Sequence, residues 1–461
     1  MMDVHDGQMV KKNRLLYLTI LSMIFVLPLS WRTSFFRTFG HITGYVIILL
    51  FFVRGITRRD LSVTRSIASL GGVVFFWILI SVFDSIRFYS EYGVLSGENT
   101  FTAPLGSVFF HLYDFALLAA YIGLVRNRYN VEHTVKKALN TVVWVQIVFG
   151  ILQLMIILDV PVVSTIYDGI NVFGFFQSSS ITRSISRIAM TGSEPASIGS
   201  SLGVLSVPYL LAQMQESDAA KEKRRCVLKL AILIVLSYFS KSSTVYAILA
   251  FSAAVFIFRS FREGRLSKRN TILWIVLIIV VGSALLLRSF AGSIHIGSNV
   301  FNEIRYYLFE KPTDTKNMSS MHRFSTTIND IVILGKHPLL GVGDGNQGFT
   351  YGQNVPQNML INSKSKELAE GIGGVVNGGA WFWAVLSGYG IVGALALFLW
   401  FHNHYRNRVR KLRGGGFLYR LYVYALPAIV VSLLVGAMGP TIVFMLSIPL
   451  WQLGQEEEST V

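Results

Sequence analysis

Residues 67–86 read IASLGGVVFFWILISVFDSI, twenty positions whose single charge, Asp84, lies near the end. A helix rises about 1.5 Å per residue, so this run covers roughly 30 Å, the hydrocarbon thickness of a bilayer. Comparable runs recur along the whole chain, and spans are predicted at 15–31, 39–53, 67–86, 105–125, 138–158, 197–214, 228–240, 243–258, 271–287, 380–401, 421–436 and 439–453. The second, seventh, eighth and last two are short. Only Lys241 and two serines separate the seventh from the eighth, which predicts a tight hairpin. Composition points the same way. Of 461 residues, 52% are apolar and 14% charged, with a mean hydropathy of +0.53. A soluble domain carries roughly 25% charged residues, so too few polar groups remain to clothe a soluble exterior. The 33 Phe, 19 Tyr and 8 Trp exclude a disordered chain. The expected fold is an all-α polytopic membrane protein of about 12 transmembrane helices.

The net charge of +16 suggests nucleic acid until the charges are placed. With the N terminus inside, the loops that face the cytoplasm hold 27 of the 41 lysines and arginines and 11 of the 25 acidic residues. The inner side therefore carries the whole +16, and the remainder sums to zero. That alternation is the positive-inside bias, with basic loops held against an anionic leaflet. It puts both termini in the cytoplasm and removes the nucleic-acid reading. The first span follows a basic stretch but has no small-residue cleavage site and contains Pro28, so it is expected to be an uncleaved anchor. The single cysteine, Cys226, falls in an expected cytoplasmic loop, which excludes a disulfide framework or a thiolate metal site.

The predicted organisation is a five-span bundle over 1–158, a long outer loop over 159–196, four spans over 197–287, a large outer loop over 288–379, and the last spans and a cytoplasmic tail over 380–461. Loops beyond about 15 residues are usually functional or disordered. The second holds eight basic and seven acidic residues and is expected to contain short helices. One runs from Met321 to Leu334, with Ser319 or Ser320 as N-cap, Gly335 as its stop and Pro338 just beyond. On it Arg323, Thr327 and Asp330 form a polar stripe, with Ile328, Ile331 and Val332 facing elsewhere. The Gly-rich turn GVGDGNQG (341–348) follows; it lacks the Gly-Lys-Ser/Thr of a P-loop.

Several residues invite chemistry, each with a plainer alternative. Glu194, before Pro195 at the entry to a span, is either a capping charge favoured by the helix dipole or a carboxylate at headgroup depth that accepts a hydroxyl proton. Arg183 and Arg187, four apart, either snorkel to lipid phosphates or share an anionic ligand whose oxygens match their forked donors. Lys336 and His337 complement a helix C terminus or, with Arg323, form a cationic cluster. His111 and Asp114 are expected to face each other in the fourth span, as a structural pair or as a proton-coupled site. His402 and His404 point apart on a helix and are interface anchors. No other histidine spacing suggests a metal, and none is expected.

Four features in order resemble the O-antigen ligase/polymerase superfamily of membrane glycosyltransferases. They are Arg…Glu-Pro-Ala-Ser at 187–197, Lys-Ser-Ser at 241–243, Arg…His-Pro-Leu-Leu-Gly-Val-Gly at 323–343 and Gly-Tyr-Gly-Ile-Val-Gly at 388–393. The resemblance covers about 100 to 400. It implies a saccharide chain taken from undecaprenyl pyrophosphate on the outer face of a bacterial inner membrane and joined to an acceptor hydroxyl. The acceptor is another lipid-linked unit in polymerases and lipid A-core in ligases. Ligases of this family carry a His-Asn pair before the span that follows the long loop. Here that stretch is GGVVNGGAWFW (373–383), with Asn377 and no histidine, which favours the polymerase branch.

On that resemblance Arg187 and Arg323 are expected to bind the pyrophosphate, with Arg183, Arg305 and Lys336 contributing. Glu194 is the expected base and His337 the alternate. No cofactor or metal is required, and a chain-length regulator is a plausible partner. The product class would be O-antigen of lipopolysaccharide, capsule or exopolysaccharide. A reading from another class is a multi-span transporter with Asp114 as its intramembrane coupling site.

Overall fold

The computed structural model describes residues 14, 16–21, 23, 46–50, 52–53, 65–92, 102–125, 131–158, 160, 162–163, 165, 187–191, 197–262, 318–360, 366, 369–370, 380–412, 416–436 and 438–451. Over these the chain is all-helical, with no strand. The long helices are α1 (Arg65–Tyr92), α2 (Thr102–Val125) and α3 (Val131–Ile157). The rod α4 joins Ser197–Ser201, a π-helical turn at Leu202–Ser206 and Val207–Glu216. Then come α5 (Ala220–Tyr238), α6 (Ser243–Arg262), α7 (Met318–Lys336), α8 (Trp381–Leu412), α9 (Phe417–Val435) and α10 (Pro440–Ser447). The expected span at 271–287 and most of those at 15–31 and 39–53 lie outside the described residues.

Four stretches are long and apolar enough to cross a membrane: Ile67–Glu91, Val131–Ile157, Trp381–Asn403 and Phe417–Val435. Their outward faces are as greasy as their inward ones. Phe83 is 70% exposed and Phe398 63%, while Trp77 and Tyr389 on the same helices are buried. Exposed apolar surface costs about 25 cal/mol per Å² in water, and a helix apolar all round belongs in a core or in lipid. At the centre, α9 packs against α4 and α6. Gly203 in the π turn permits this, since a Cβ there would lie 2.1 Å from Ile248 Cγ2 and 2.9 Å from Ala428 Cβ. Small residues let helix backbones approach in the same way in membrane bundles generally. Cys226 is buried within α5 rather than placed in a loop.

Helix α8 is broken. Gly390 has φ 61° and ψ −168°. An intact helix would pair the Ser387 carbonyl with the Ile391 N–H, and Gly388 with Val392. Instead the carbonyls of Ser387 and Gly388 accept from the N–H groups of Val342 (3.0 Å) and Gly343 (2.7 Å). The N–H groups of Ile391 and Val392 donate to the carbonyls of Pro338 (2.8 Å) and Leu339 (3.1 Å). Four backbone bonds to the 338–343 turn replace two bonds of the helix. Two glycines make the fit possible: a Cβ at Gly390 would lie 2.3 Å from the Leu339 oxygen, and one at Gly341, itself at φ 71°, 2.4 Å from that of Ser387.

The helix preceding that turn departs from its sequence reading. It starts at Met318, so Ser319 and Ser320 lie within its first turn rather than capping it, and it passes through Gly335. The His337 N–H still reaches the Ile333 carbonyl at 2.7 Å; Pro338, without an N–H, is where the ladder must stop. The stripe also twists inward. Arg323 is exposed and Asp330 is 1% exposed, because the buried face of α7 carries Ser325, Thr326, Asn329 and Asp330 beside Met321 and Ile333.

Replacing Gly390 by Ala forces a side chain into the left-handed region against backbone, and the strain alone is about 1–3 kcal/mol. We expect a lower melting midpoint for detergent-purified G390A. Gly72, on α1 with nothing within 4 Å of a built Cβ, is the control: G72A melts no lower than the parent.

Candidate functional site

The docked turn is held from below by side chains that are almost all buried. Asp344 is the hub. Its Oδ1 accepts from Gln347 Nε2 and the Gly345 N–H, both at 3.0 Å, and its N–H donates to Ser81 Oγ on α1 at 3.1 Å. His111 Nε2 on α2 stands 3.2 Å from Asp344 Oδ2. The imidazole lies edge-on to Trp77 and Tyr389, which stack on each other at 4.4 Å. From Gln347 the network continues to Ser387 Oγ (3.3 Å), which donates to Asp330 Oδ1 at 2.8 Å. Asn346 ties the turn to α1 by donating to the Ser81 carbonyl and accepting from Ser85 Oγ. On α7, Asn329 Nδ2 donates to the Gln347 carbonyl and its Oδ1 accepts from Asn354.

Buried polar groups are tolerated when they are paired, and these are paired in a chain that joins α1, α2, α7 and α8. Burial pushes the Asp344 carboxyl up. The His111 contact and the hydrogen bonds from Gln347 and the Gly345 N–H together outweigh it and hold the carboxyl below its ordinary value. His111 therefore makes its close contact with the turn, and its interaction with Asp114, one helical turn away, is electrostatic without a hydrogen bond. No hydrogen bond or ion pair reaches Asp114 among the described residues.

The second constellation is built around Arg187. Its Nε donates to the Ser240 carbonyl at 3.1 Å and its Nη2 to that of Lys241 at 3.2 Å. These carbonyls follow the end of α5, where a cation is favoured. Lys241 at φ 48° bends the chain into α6. The segment carrying Arg187 is clamped by Gln153 of α3, whose Oε1 accepts from the N–H groups of Ala189 (2.9 Å) and Met190 (2.7 Å) and whose Nε2 donates to the Met190 carbonyl at 2.7 Å. That clamp holds Met190 at φ 46°. A guanidinium has five N–H donors, so three on Arg187 have no partner among the described residues.

The four motifs thus meet in two pairs: Arg187 on the Lys-Ser-Ser turn, and His-Pro-Leu-Leu-Gly-Val-Gly on Gly-Tyr-Gly-Ile-Val-Gly. Arg323 sits on the exposed face of α7, and His337 is partly exposed. Lys336 Nζ donates to Asn354 Oδ1 at 2.7 Å, which ties that cation to the subdomain. Arg183, Glu194, Arg305 and Asn377 lie outside the described residues. Sequence reasoning missed Gln153, Ser81, Asn346 and Gln347. A signal existed for the first: Gln146 and Gln153 are seven apart on one face of an apolar span, and amides inside spans usually bond across helices. Gln146 does so with Ser201 and Ser206. In comparisons with protein-family models and with curated proteins, the sequence matches none.

A carboxyl depressed on folding stabilises above its unfolded pKa and ceases to do so as pH falls through its native one. D344N should therefore expose the 337–360 segment to protease at pH 7. Its difference from the parent should persist down to the ordinary carboxylate range and vanish below it, read from cleavage rates across pH. Q153L removes the clamp on Arg187 and should lower the melting midpoint, equivalent to roughly 1–3 kcal/mol.

Proposed function

We propose that this chain is a twelve-span polymerase of undecaprenyl-pyrophosphate-linked oligosaccharide repeat units, working at the outer face of a bacterial cytoplasmic membrane with both termini inside. The observation that carries the reading is the pairwise meeting of the four motifs, with Arg187 fixed by backbone carbonyls and three of its donors without a partner among the described residues. A lipid-linked donor presents its pyrophosphate at headgroup depth, where a guanidinium matches it with forked hydrogen bonds.

In the reaction the anomeric carbon of the growing chain leaves its bond to the pyrophosphate oxygen and bonds to a hydroxyl of the incoming unit. The departing pyrophosphate gains negative charge, which Arg187 and Arg323 offset, with Arg183 and Arg305 in support. Stabilising charge where it develops is the main electrostatic demand of such a step. Glu194 takes the hydroxyl proton, and His337 is the alternate base. Lys336, tied to Asn354, serves the fold of the subdomain as much as the ligand. The scheme asks for no metal. A ligase acting on lipid A-core would use the same donor chemistry; the missing histidine beside Asn377 weighs against it.

A transport reading draws on different observations: the break at Gly390 within an apolar helix and Asp114 lining a cavity. Broken helices and polar groups at depth are what transporters use. Alanine variants separate the two. Loss of long-chain surface polysaccharide in R187A and R323A, at normal protein levels and with single repeat units accumulating, supports the polymerase. Activity retained in both and lost in D114A supports transport.

A further inference from the structure

A cavity of about 70 Å³ lies between α1, α2, α8 and the 438–450 segment, and Asp114 lines it. A single water needs about 10–15 Å³ by the same kind of measure, so there is room for a small molecular group. The walls are apolar, with the rings of Trp77, Phe115, Trp381, Trp400, Phe401 and Tyr405 set among aliphatic side chains. Most of the polar groups that could answer Asp114 are engaged elsewhere. Trp77 Nε1 donates to the Gly393 carbonyl, Trp400 Nε1 to Ser69 Oγ and the Tyr405 hydroxyl to the Leu446 carbonyl, while His111 Nε2 faces Asp344. Asp114 is left in the middle of an apolar helix without a hydrogen-bonding partner among the described residues, its one electrostatic neighbour there being His111, whose close contact is with Asp344.

We propose that this cavity binds a small organic ammonium ion, with Asp114 as its counter-charge and aromatic rings among its walls. A carboxylate at this depth is costly until its charge is answered. Aromatic rings attract cations, quaternary ammonium groups above all. A hard metal ion wants about six or more oxygens, and this lining offers one carboxylate. An anion would be repelled by it. The inference rests on neither reading of the function given above.

Choline and its uncharged carbon isostere, 3,3-dimethylbutan-1-ol, are suitable probes of the detergent-purified full chain, with binding followed by tryptophan fluorescence. Choline should bind saturably and at least about tenfold more tightly than the isostere, the increment that one well-placed charge contact confers. D114N should remove that preference while leaving the isostere unaffected. Equal affinity for both probes, no saturable choline binding, a preference that survives D114N, or displacement of choline by equimolar sodium would each overturn the proposal. If D114N does not fold, the two probes on the parent chain decide it alone. Because the readout is binding, its failure leaves the glycan assays of the arginine variants untouched.

Discussion

A helix in lipid has no water to satisfy its backbone, so it breaks only where other protein groups take over the freed N–H and carbonyl groups. In α8 the turn at 338–343 does this, exchanging four hydrogen bonds across the Gly390 break. Much else follows from that exchange. It fixes the turn against α1 and α2, brings Asp344 beside His111, and carries α7 with its polar face turned inward. Without it, Ser325, Asn329 and Asp330 would have no reason to be buried, and α7 would lose its backbone tie to α8.

The parts of this architecture that depend on one helix at a time were legible in the sequence. Runs such as 67–86 and 421–436 announce themselves because a span needs only length and apolarity, both local properties. The meeting of Arg187 with the Lys-Ser-Ser turn was not legible, although both motifs were visible, because sequence order says nothing about which loops touch. His111 shows the same limit more sharply. Its neighbour by helical spacing is Asp114, and that local rule lost to a partner more than two hundred residues away. The end of α7 was misjudged for a different reason. Gly335 has the composition of a helix stop, but a glycine ends a helix only where a left-handed turn closes it, whereas Pro338 removes a donor unconditionally.

The two arginines proposed to share a ligand stand in different settings. Two carbonyls grip the Arg187 side chain, and Gln153 pins the backbone just after it at Ala189 and Met190, so its remaining donors point in a fixed direction. Arg323 sits on an exposed helical face, and only the packing of α7 sets its reach. Pre-organised donors stabilise developing charge without rearrangement, while flexible ones lose entropy on engagement. In the proposed reaction Arg187 would therefore meet the departing pyrophosphate with less rearrangement than Arg323.

The break in α8 has a consequence for assembly. The 338–343 turn precedes its receptor at 387–392 by about forty residues of sequence. The backbone groups on either side of Gly390 can be satisfied in two ways, by the helix's own ladder or by the docked turn. Straightening of α8 and docking of the turn are thus mutually exclusive in this chain, because both draw on the same N–H and carbonyl groups.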